Sequence, residues 1–229
     1  MKIAGLQKLT LLDYPGKIAC TVFTAGCNFR CPFCHNASLV TGKPEELTDE
    51  KEIFDLLAKR KGVLQGVCIT GGEPTLQKDL LDFMSKVKDM GYKVKLDSNG
   101  FKPEILKQAV NEKIVDYIAM DIKNTPEKYG MTVGIKNFDM SPILESIDFL
   151  QNSGIDFEFR TTVVKELHTI DDIEKISKWL KGTEKYFLQC FVDSGDTIEN
   201  GFSGYEQKEM ENMLKVAKKY IPTAILRGV

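Results

Sequence analysis

Three cysteines crowded into eight residues constrain this chain more than any other feature. Cys27, Cys31 and Cys34 are separated by three and then two residues, in the stretch from Gly26 to Asn36. They cannot all pair as disulfides, because their number is odd and the intervals are short. Soft thiolate ligands select iron–sulfur clusters, zinc or cuprous copper. A four-iron cluster takes four ligands, so three cysteines would leave one iron open to a substrate or cosubstrate.

A zinc site is the main alternative for these cysteines. Together with His35, the residues Cys27, Cys31 and Cys34 would make a Cys3His ligand set. His35 directly follows Cys34, however, which is awkward geometry for two ligands of one tetrahedral ion. Many zinc sites also contain a second pair of cysteines, and the sequence holds no second pair. A reduced trio with a purely structural role is the third alternative.

The composition is that of an ordinary globular protein with one good core. The chain has 229 residues, of which 42% are hydrophobic and 28% are charged. An α/β barrel-like chain of this length can form one unit, so we predict a single domain over residues 1–229. The net charge is −2, from 31 basic and 33 acidic residues. This balance predicts neither a nucleic-acid partner nor a polybasic membrane patch.

Nothing in the sequence predicts export or membrane insertion. The N-terminus lacks a charged segment followed by an apolar run, and no apolar stretch approaches the roughly 20 residues of a membrane helix. Six cysteines in a long chain without a leader are expected to be thiols and ligands rather than disulfides. We therefore predict a cytoplasmic protein without a membrane partner.

Buried runs and amphipathic runs alternate along the chain. Strands are predicted at residues 18–24, 66–70, 92–98, 114–120, 157–164 and 186–192. Helices are predicted at residues 48–60, 79–90, 104–110, 141–150, 169–180 and 206–220. This alternation predicts an α/β fold with a parallel sheet and right-handed crossovers. Six repeats fit a partial (β/α)6 barrel, open on one side, which would admit a macromolecular substrate.

A glycine-rich segment follows the predicted strand 66–70. Gly71 and Gly72 allow the backbone to approach a ligand closely, and Glu73 could accept a hydrogen bond from a ligand ammonium group. A plain turn explains the same residues equally simply. In folds with parallel strands, active sites are built at the carboxyl ends of the strands, and this segment is predicted to lie there.

Two further strand ends carry polar residues. Asp97 and Ser98 end the predicted strand 92–98 and could face a site there. Asp121 and Lys123 lie two residues apart on an extended segment, so their side chains are expected to point the same way. An ion pair between them and a ligand-binding role are both open on the residues alone.

Three predictions concern the C-terminal half. Arg160 lies in the middle of a predicted strand and needs an anion there, which is either a ligand or a neighbouring acid such as Glu158. The polar segment 124–139 is predicted to be a mobile loop over the site or a solvated insert. His168 is predicted to be exposed to solvent or to lie at a helix entry, with Thr169 as the N-cap.

The spacing of Cys27, Cys31 and Cys34 resembles the signature of the radical S-adenosylmethionine (SAM) enzymes, and Phe33 fits the same pattern. In that family the three cysteines hold a [4Fe–4S] cluster, and the amino and carboxylate groups of SAM chelate the fourth iron. One electron from the cluster cleaves SAM into methionine and a 5′-deoxyadenosyl radical. The resemblance implies that the three cysteines are the metal ligands and that Phe33 belongs to the cofactor site.

Other segments resemble the glycyl-radical-enzyme activating enzymes. The resemblance implies that Gly71, Gly72 and Glu73 contact the amino group of SAM and that Arg160 pairs with its carboxylate. Lys123 is implied to lie near the cosubstrate, as a catalytic residue. The implied oxygen ligands of a monovalent cation beside SAM are Asp97, Ser98, Met120 and Asp121. Ser98 stands where the family usually has threonine, and this change keeps the hydroxyl group.

Four segments together are most similar to the activating proteins of anaerobic ribonucleoside-triphosphate reductase, in the branch close to pyruvate formate-lyase activating enzyme. The segments are residues 12–16, 26–36, 71–74 and 117–123. The resemblance implies hydrogen abstraction from one glycine of a partner enzyme, a single cluster, and flavodoxin or ferredoxin as electron donor. The alternatives are another glycyl radical enzyme as partner, a small-molecule radical SAM enzyme, and a non-enzymatic zinc-bound interaction protein.

Overall fold

The computed structural model describes residues 1–42, 47–193 and 195–228. The fold is α/β, with a mostly parallel sheet in which the strands follow chain order and β1 and β8 are the two end strands. The strands are β1 (Ile3–Thr10), β2 (Ala19–Thr24), β3 (Gly66–Gly71), β4 (Lys93–Ser98), β5 (Tyr117–Asp121), β6 (Asp156–Val163), β7 (Tyr186–Cys190) and β8 (Ile225–Arg227). The helices are α1 (Ala37–Thr41), α2 (Glu50–Lys59), α3 (Leu80–Asp89), α4 (Pro103–Asn111), α5 (Pro126–Thr132), α6 (Ser141–Asn152), α7 (Ile170–Trp179) and α8 (Gln207–Ala217). No helix among the described residues is long and apolar enough to cross a membrane.

The chain divides into two compact units, and the prediction of a single domain stays a prediction. The first unit comprises Met1–Asn28 and Ser38–Ala119. Its first two strands pair antiparallel, whereas β2 with β3 and β3 with β4 pair parallel. Apolar side chains on these strands and on the helices α2 and α3 form its core. Its fully buried members include Val22, Val67, Ile69, Val94, Leu96, Ile53 and Phe83.

The second unit comprises Phe29–Ala37 and Met120–Val229. Its strands β6 with β7 and β7 with β8 pair parallel. The helix α7 begins at a capping box, in which the Thr169 hydroxyl and the Asp172 carboxylate each bind the other residue's backbone N–H, as predicted. Buried apolar side chains on the strands and on α7 and α8 form the core of this unit. They include Phe159, Leu188, Ile173, Ile176 and Met210.

All six predicted strands are present, but two further strands were not predicted. β1 has exposed and half-buried positions between its two buried ends, so it lacks the alternation that marks a half-buried strand. β8 has only three residues, which is too short for a periodic signal. The (β/α) alternation is therefore preceded by one antiparallel strand at the edge of the sheet.

The prediction for residues 124–139 was wrong, because this segment contains the helix α5. Pro126 occupies the first turn of α5, where a missing N–H costs nothing. Tyr129 is fully buried and stacks on Phe138, with ring centroids 5.3 Å apart. The polar composition of the segment concealed this aromatic pair, which joins the helix to the chain that follows it.

Candidate active site

The three cysteines lie in one loop that follows β2. The six cysteines of the chain are reduced and form no disulfide. Of the three in this loop, Cys31 is buried, whereas Cys27 and Cys34 are half-buried. The backbone N–H of Cys34 donates to the carbonyl oxygen of Cys31 at 3.0 Å, which closes a tight turn between two of the predicted ligands. The loop therefore holds reduced sulfur ligands on a constrained backbone, as an inorganic cluster requires.

Aromatic packing anchors this loop within the second unit. Phe33 is buried, and its ring packs edge-on against Phe191 and Phe202 at centroid distances of 6.3 and 6.4 Å. The predicted role of Phe33 in cofactor binding is untested, and its observed contacts are those of a core residue. Its side chain fixes the position of the neighbouring Cys34 by packing.

The segment around α5 supports the loop as well. The backbone N–H of Arg30 donates to the carbonyl oxygen of Val133 at 2.9 Å. Gly134 has a positive φ of 70°, and a Cβ atom there would lie 2.4 Å from the Arg30 carbonyl oxygen. Only glycine permits this approach. The segment 124–139, which was predicted to be a loop or an insert, therefore supports the backbone of the cysteine loop at Arg30.

His35, the fourth member of the zinc alternative, stacks on Phe191 with ring centroids 4.9 Å apart. Burial, and then the charge of Lys123, lower the pKa of the His35 imidazole. Among the described residues, no three Cys, His, Asp or Glu side chains are gathered closely enough to hold one metal ion. A four-iron cluster does not need such a group, because each cysteine binds a different iron.

The two glycines after β3 allow two stretches of backbone to touch. Gly71 has a φ of 113°, and a Cβ on it would lie 2.4 Å from the Thr24 backbone nitrogen. A Cβ on Gly72 would lie 2.0 Å from the Gly26 carbonyl oxygen. Two hydrogen bonds of 2.8 Å bind the segments together, from Gly72 N–H to Thr24 O and from Glu73 N–H to Gly26 O. The glycine motif thus braces the start of the cysteine loop, and its predicted contact with SAM is untested.

Glu73 is buried, and among the described residues only neutral groups donate hydrogen bonds to its carboxylate. Its side chain is 1% exposed. Oε1 accepts from the hydroxyl of Ser98 at 2.9 Å and from the N–H and hydroxyl of Thr75, and Oε2 accepts from the N–H of Asn99 at 2.7 Å. Burial raises the pKa of Glu73 above its ordinary value, although these hydrogen bonds oppose the rise.

Asp97 and Ser98 were predicted to serve one cation, but their side chains have different protein partners. Ser98 donates to Glu73, whereas the carboxylate of Asp97 accepts from the ammonium group of Lys95. Successive residues of a strand point to opposite faces, so Lys95 and Asp97 share one face of β4 and Ser98 lies on the other. The structure therefore does not bring Asp97 and Ser98 together, and their proposed ligand roles remain untested.

The prediction missed Lys95, which is 2% exposed. Its Nζ atom lies 3.8 Å from Sγ of Cys68, and the same sulfur lies 3.9 Å from Oδ1 of Asp97. A buried lysine needs a counter-charge, and Asp97 supplies one. The spacing of two residues within one strand was a signal for this pair, although nothing in the sequence showed that the face is buried.

Asp121 lies between two cations. Its Oδ1 atom is 3.0 Å from Nε of Arg160, and its Oδ2 atom is 2.9 Å from Nζ of Lys123. Although burial opposes the shift, the charges of Arg160 and Lys123 hold the pKa of the Asp121 carboxyl well below its ordinary range. Met120, the other predicted cation ligand on this strand, is fully buried.

Arg160 forms an ion pair with an acidic residue, as one of the two alternatives expected, and this acid is Asp121. Glu158 forms a bidentate ion pair with Arg227, in which the two guanidinium nitrogens lie 2.8 and 3.0 Å from the two carboxylate oxygens. Strand pairing fixes Arg160 at this place, since the backbone N–H of Ile122 donates to the Arg160 carbonyl oxygen at 2.7 Å. Arg227 lies in β8, a strand too short to be predicted from its sequence pattern. The pairing of Arg227 with Glu158 could therefore not be predicted either.

The positive charge of Lys123 faces the cysteine loop as well as Asp121. Burial opposes ionisation of its ammonium group, but Asp121 and then Cys31 and Cys34 raise the pKa of Lys123 above its ordinary value. Lys123 therefore places a positive charge close to the sulfur atoms of Cys31 and Cys34. The structure thus brings Lys123 to two of the predicted cluster ligands.

His168 was predicted to be exposed or to lie at a helix entry. It does precede α7, but it is fully buried, so the expectation of exposure was wrong. Its Nδ1 atom accepts from the Val164 N–H at 3.1 Å, and its Nε2 atom lies 2.8 Å from the carbonyl oxygen of Lys123. These partners require a neutral imidazole that carries its proton on Nε2. His168 therefore positions the backbone of Lys123, a contact across 45 residues of sequence that no local pattern could reveal.

Comparison with known proteins agrees with this geometry. Residues 21–180 match the family model of the radical SAM superfamily. The chain is 33% identical to a protein of Methanocaldococcus jannaschii that is provisionally named a glycyl-radical enzyme activating enzyme, over 99% of this chain and 96% of the relative. It is 28% identical to the pyruvate formate-lyase-activating enzyme of Clostridium pasteurianum, over 95% of this chain and 94% of that one.

Solved structures confirm the fold class. Streptococcus suis SuiB bound to S-adenosylmethionine superposes with a TM-score of 0.71 at 14% identity, over 89% of this chain, which spans about half of SuiB, 48%. A domain of the pyruvate-formate lyase-activating enzyme of Bacteroides vulgatus superposes with a TM-score of 0.59 at 15% identity, over 72% of this chain and 99% of that domain. The prediction of a partial, open barrel of parallel strands is confirmed by these neighbours. The chain belongs to the radical SAM superfamily and, within it, to the glycyl-radical-enzyme activating enzymes, whose cofactors are a [4Fe–4S] cluster and SAM.

Proposed function

We propose that this chain activates anaerobic ribonucleoside-triphosphate reductase by generating a radical on one glycine of that enzyme. The observation that carries the proposal is the loop of three reduced cysteines, two of which interact electrostatically with the half-buried ammonium of Lys123. Such a set supplies three of the four ligands of a four-iron cluster and leaves one position for a cosubstrate. The resemblance of residues 12–16, 26–36, 71–74 and 117–123 supports the choice of partner.

The donor set fits a [4Fe–4S] cluster. Cys27, Cys31 and Cys34 would bind three irons, and Lys123 would offset part of the negative charge of the thiolates. A buried amide nitrogen of Asn28, beside Cys27 in sequence, has no acceptor among the described residues, as expected next to an acceptor-rich group. When bound, the cluster supplies the single electron that cleaves SAM into methionine and a 5′-deoxyadenosyl radical.

The residues around the cysteines would bind the methionine part of SAM. Glu73 would accept from the SAM ammonium, because its present partners are neutral donors and leave its negative charge without a counter-ion among those contacts. Gly71 and Gly72 would hold Glu73 in place through the backbone contact with Thr24 and Gly26. Burial of the ammonium next to a buried carboxylate is favourable only as a pair, which makes the contact selective.

Arg160 would bind the SAM carboxylate. Its guanidinium is a planar, permanently charged donor of the kind that binds carboxylates, and Asp121 contacts it at Nε. Asp121 would therefore orient Arg160, and Lys123 would add a second positive charge beside the carboxylate and the cluster. Asp97, Ser98, Met120 and Asp121 remain the predicted ligands of a monovalent cation, although Lys95 already supplies a positive charge at Asp97.

The electron donor is proposed to be flavodoxin or ferredoxin, and the reaction is proposed to take place in the cytoplasm. Six free thiols in the chain support a reducing compartment. A pyruvate formate-lyase type of partner is the second candidate, favoured by the similarity to the Clostridium pasteurianum enzyme over 95% of this chain. The two candidates differ only in the protein that carries the target glycine.

The partner can be identified by electron paramagnetic resonance. The anaerobically reconstituted protein is mixed with SAM, reduced flavodoxin and either anaerobic ribonucleotide reductase or pyruvate formate-lyase from the same organism. We expect a glycyl radical on the reductase and none on the lyase, and we expect Cys31→Ala to abolish it. Cys190→Ser is the matched control, because Cys190 lies outside the cysteine loop. A radical on the lyase alone would replace the first candidate with the second.

A further inference from the structure

The side chain of Asn28 is oriented by a relay of hydrogen bonds within the first unit. The backbone N–H of Phe101 donates to Oδ1 of Asn99 at 3.0 Å. This contact identifies the oxygen of the Asn99 amide, so the other terminal atom of that amide is the nitrogen Nδ2. That Nδ2 atom donates to Oδ1 of Asn28 at 2.9 Å. Since the oxygen and nitrogen of an amide are assigned from such networks, both amide groups have a defined orientation.

The relay leaves the amide nitrogen of Asn28 without a partner. Its Nδ2 atom is buried, and no acceptor among the described residues lies within hydrogen-bond distance. A buried donor without an acceptor costs about 1–3 kcal/mol, so native structures contain few of them. Asn28 could not avoid this cost by rotating its amide, because rotation would oppose its Nδ2 to the Nδ2 of Asn99.

The amide group that carries this donor lies beside the first cysteine of the cluster loop. The Oδ1 atom of Asn28 is 3.9 Å from Sγ of Cys27, and the Nδ2 atom of Asn99 is 3.8 Å from the same sulfur. Both amides therefore pack around one cluster ligand. The acceptor that would satisfy Asn28 Nδ2 is expected to arrive with the group that Cys27 binds.

We propose that Asn28 donates a hydrogen bond from Nδ2 to a sulfur atom of the iron–sulfur cluster and thereby raises its reduction potential. A hydrogen bond to sulfur stabilises the reduced cluster more than the oxidised one, since the reduced cluster carries more negative charge. Asn99 acts through Asn28 and is a positioning residue. The inference rests on the cluster that the family binds and not on the identity of the partner enzyme.

The test is a redox titration of reconstituted protein without SAM and without a partner enzyme. Asn28→Leu removes the amide, and Asn28→Asp keeps the oxygen that Asn99 needs but replaces the donor with an acceptor. The reduced-to-oxidised ratio at a fixed potential is expected to fall at least tenfold in Asn28→Leu, a shift of about 59 mV for one electron, and further in Asn28→Asp. Asn152→Leu, at an exposed position, is the matched control and should leave the ratio unchanged.

Two outcomes would overturn the proposal. One is a reduced-to-oxidised ratio in both variants within twofold of the unsubstituted protein. The other is an unchanged ratio together with weaker SAM binding by calorimetry, which would show that the donor serves SAM rather than the cluster. Failure of the proposed partner assignment would affect neither readout, because both are measured without the glycyl radical enzyme.

Discussion

Two carboxylates at strand ends, Glu73 in the first unit and Asp121 in the second, have opposite surroundings. Glu73 accepts from the neutral groups of Thr75, Ser98 and Asn99, and burial raises the pKa of its carboxyl. Asp121 lies between two cations, which lower its pKa against the effect of burial. The carboxylate of Glu73 thus has only neutral donors around it, whereas the charge of Asp121 is already balanced by Arg160 and Lys123.

Glu73 and Asp121 are both acidic residues at the end of a buried strand, yet their surroundings suit them to different roles. Both acids follow a buried strand, and both were expected to contact a cofactor. A carboxylate surrounded by neutral donors keeps its attraction for an ammonium group, and a carboxylate between two cations does not.

Asp97 lies in the same unit as Glu73, but its carboxylate, like that of Asp121, has a positively charged partner, which is Lys95. Lys95→Met should lower the free energy of unfolding of the metal-free protein by about 3–5 kcal/mol, since it leaves a largely buried carboxylate uncompensated. Chemical denaturation at pH 7 measures this change. If Asp97 also belongs to a monovalent-cation site, potassium chloride should restore more stability to the variant than tetramethylammonium chloride at equal ionic strength. Unchanged stability in Lys95→Met would show that the pair is not coupled.

Asp121→Asn should lower the free energy of unfolding by about 3 kcal/mol at pH 7, since it removes the negative charge that both Arg160 and Lys123 contact. A depressed pKa gives stability above the unfolded value near pH 4, and this stability is lost as the pH falls through the folded value. The deficit of the variant should therefore shrink below about pH 4. Asp156→Asn is the matched control, because its ion pair with Lys185 is exposed and should contribute less than about 1 kcal/mol. Equal losses of unfolding free energy in Asp121→Asn and Asp156→Asn would contradict the claim that Asp121 is stabilised by its two cations.

Glu73→Gln should weaken SAM binding about tenfold to a hundredfold, the loss expected when a charged hydrogen bond of about 1.5–3 kcal/mol becomes neutral. Calorimetry of the reconstituted protein measures it. The raised pKa of Glu73 makes its contribution to stability most favourable below about pH 4.5 and less favourable as the pH rises. The metal-free variant should accordingly unfold at pH 7 no more easily than the unsubstituted protein. A large loss of stability with unchanged SAM affinity would give Glu73 a purely structural role.

His168→Gln should cost about 1 kcal/mol at pH 7.5, because a glutamine amide can replace the Nε2 donor to the Lys123 carbonyl oxygen but leaves the buried Val164 N–H without its Nδ1 acceptor. Burial lowers the pKa of His168, so the unfolded chain binds more protons and stability falls as the pH drops below about 6.5. The melting temperature of the metal-free protein should therefore fall between pH 7.5 and pH 5.5, and less so in the variant. The chain has one other histidine, the half-buried His35, and His35→Gln is the comparison variant. A larger effect from His35→Gln would contradict the assignment.

Local patterns predicted six strands and six helices, but among the partners of charged side chains they offered the pair of Asp121 with Lys123 and not the contacts of Lys95 or His168. The run from Ile18 to Thr24 and the loop with Cys27 were predictable, because a buried strand and a cluster of thiols are visible in short windows. The helix α5 was missed, because its packing depends on a pair of aromatic rings rather than on its own composition. Contacts such as Lys95 with Asp97 and His168 with Lys123 depend on which strand face is buried and on which segments meet.

The most direct test of the account is the formation of 5′-deoxyadenosine by the anaerobically reconstituted protein with dithionite and SAM. The unsubstituted protein and Cys190→Ser should release 5′-deoxyadenosine and show the spin signal of a reduced [4Fe–4S] cluster. Cys31→Ala should show neither, because it lacks one of three thiolate ligands. Release of 5′-deoxyadenosine by Cys31→Ala, or purified protein that carries zinc and no iron, would contradict the account.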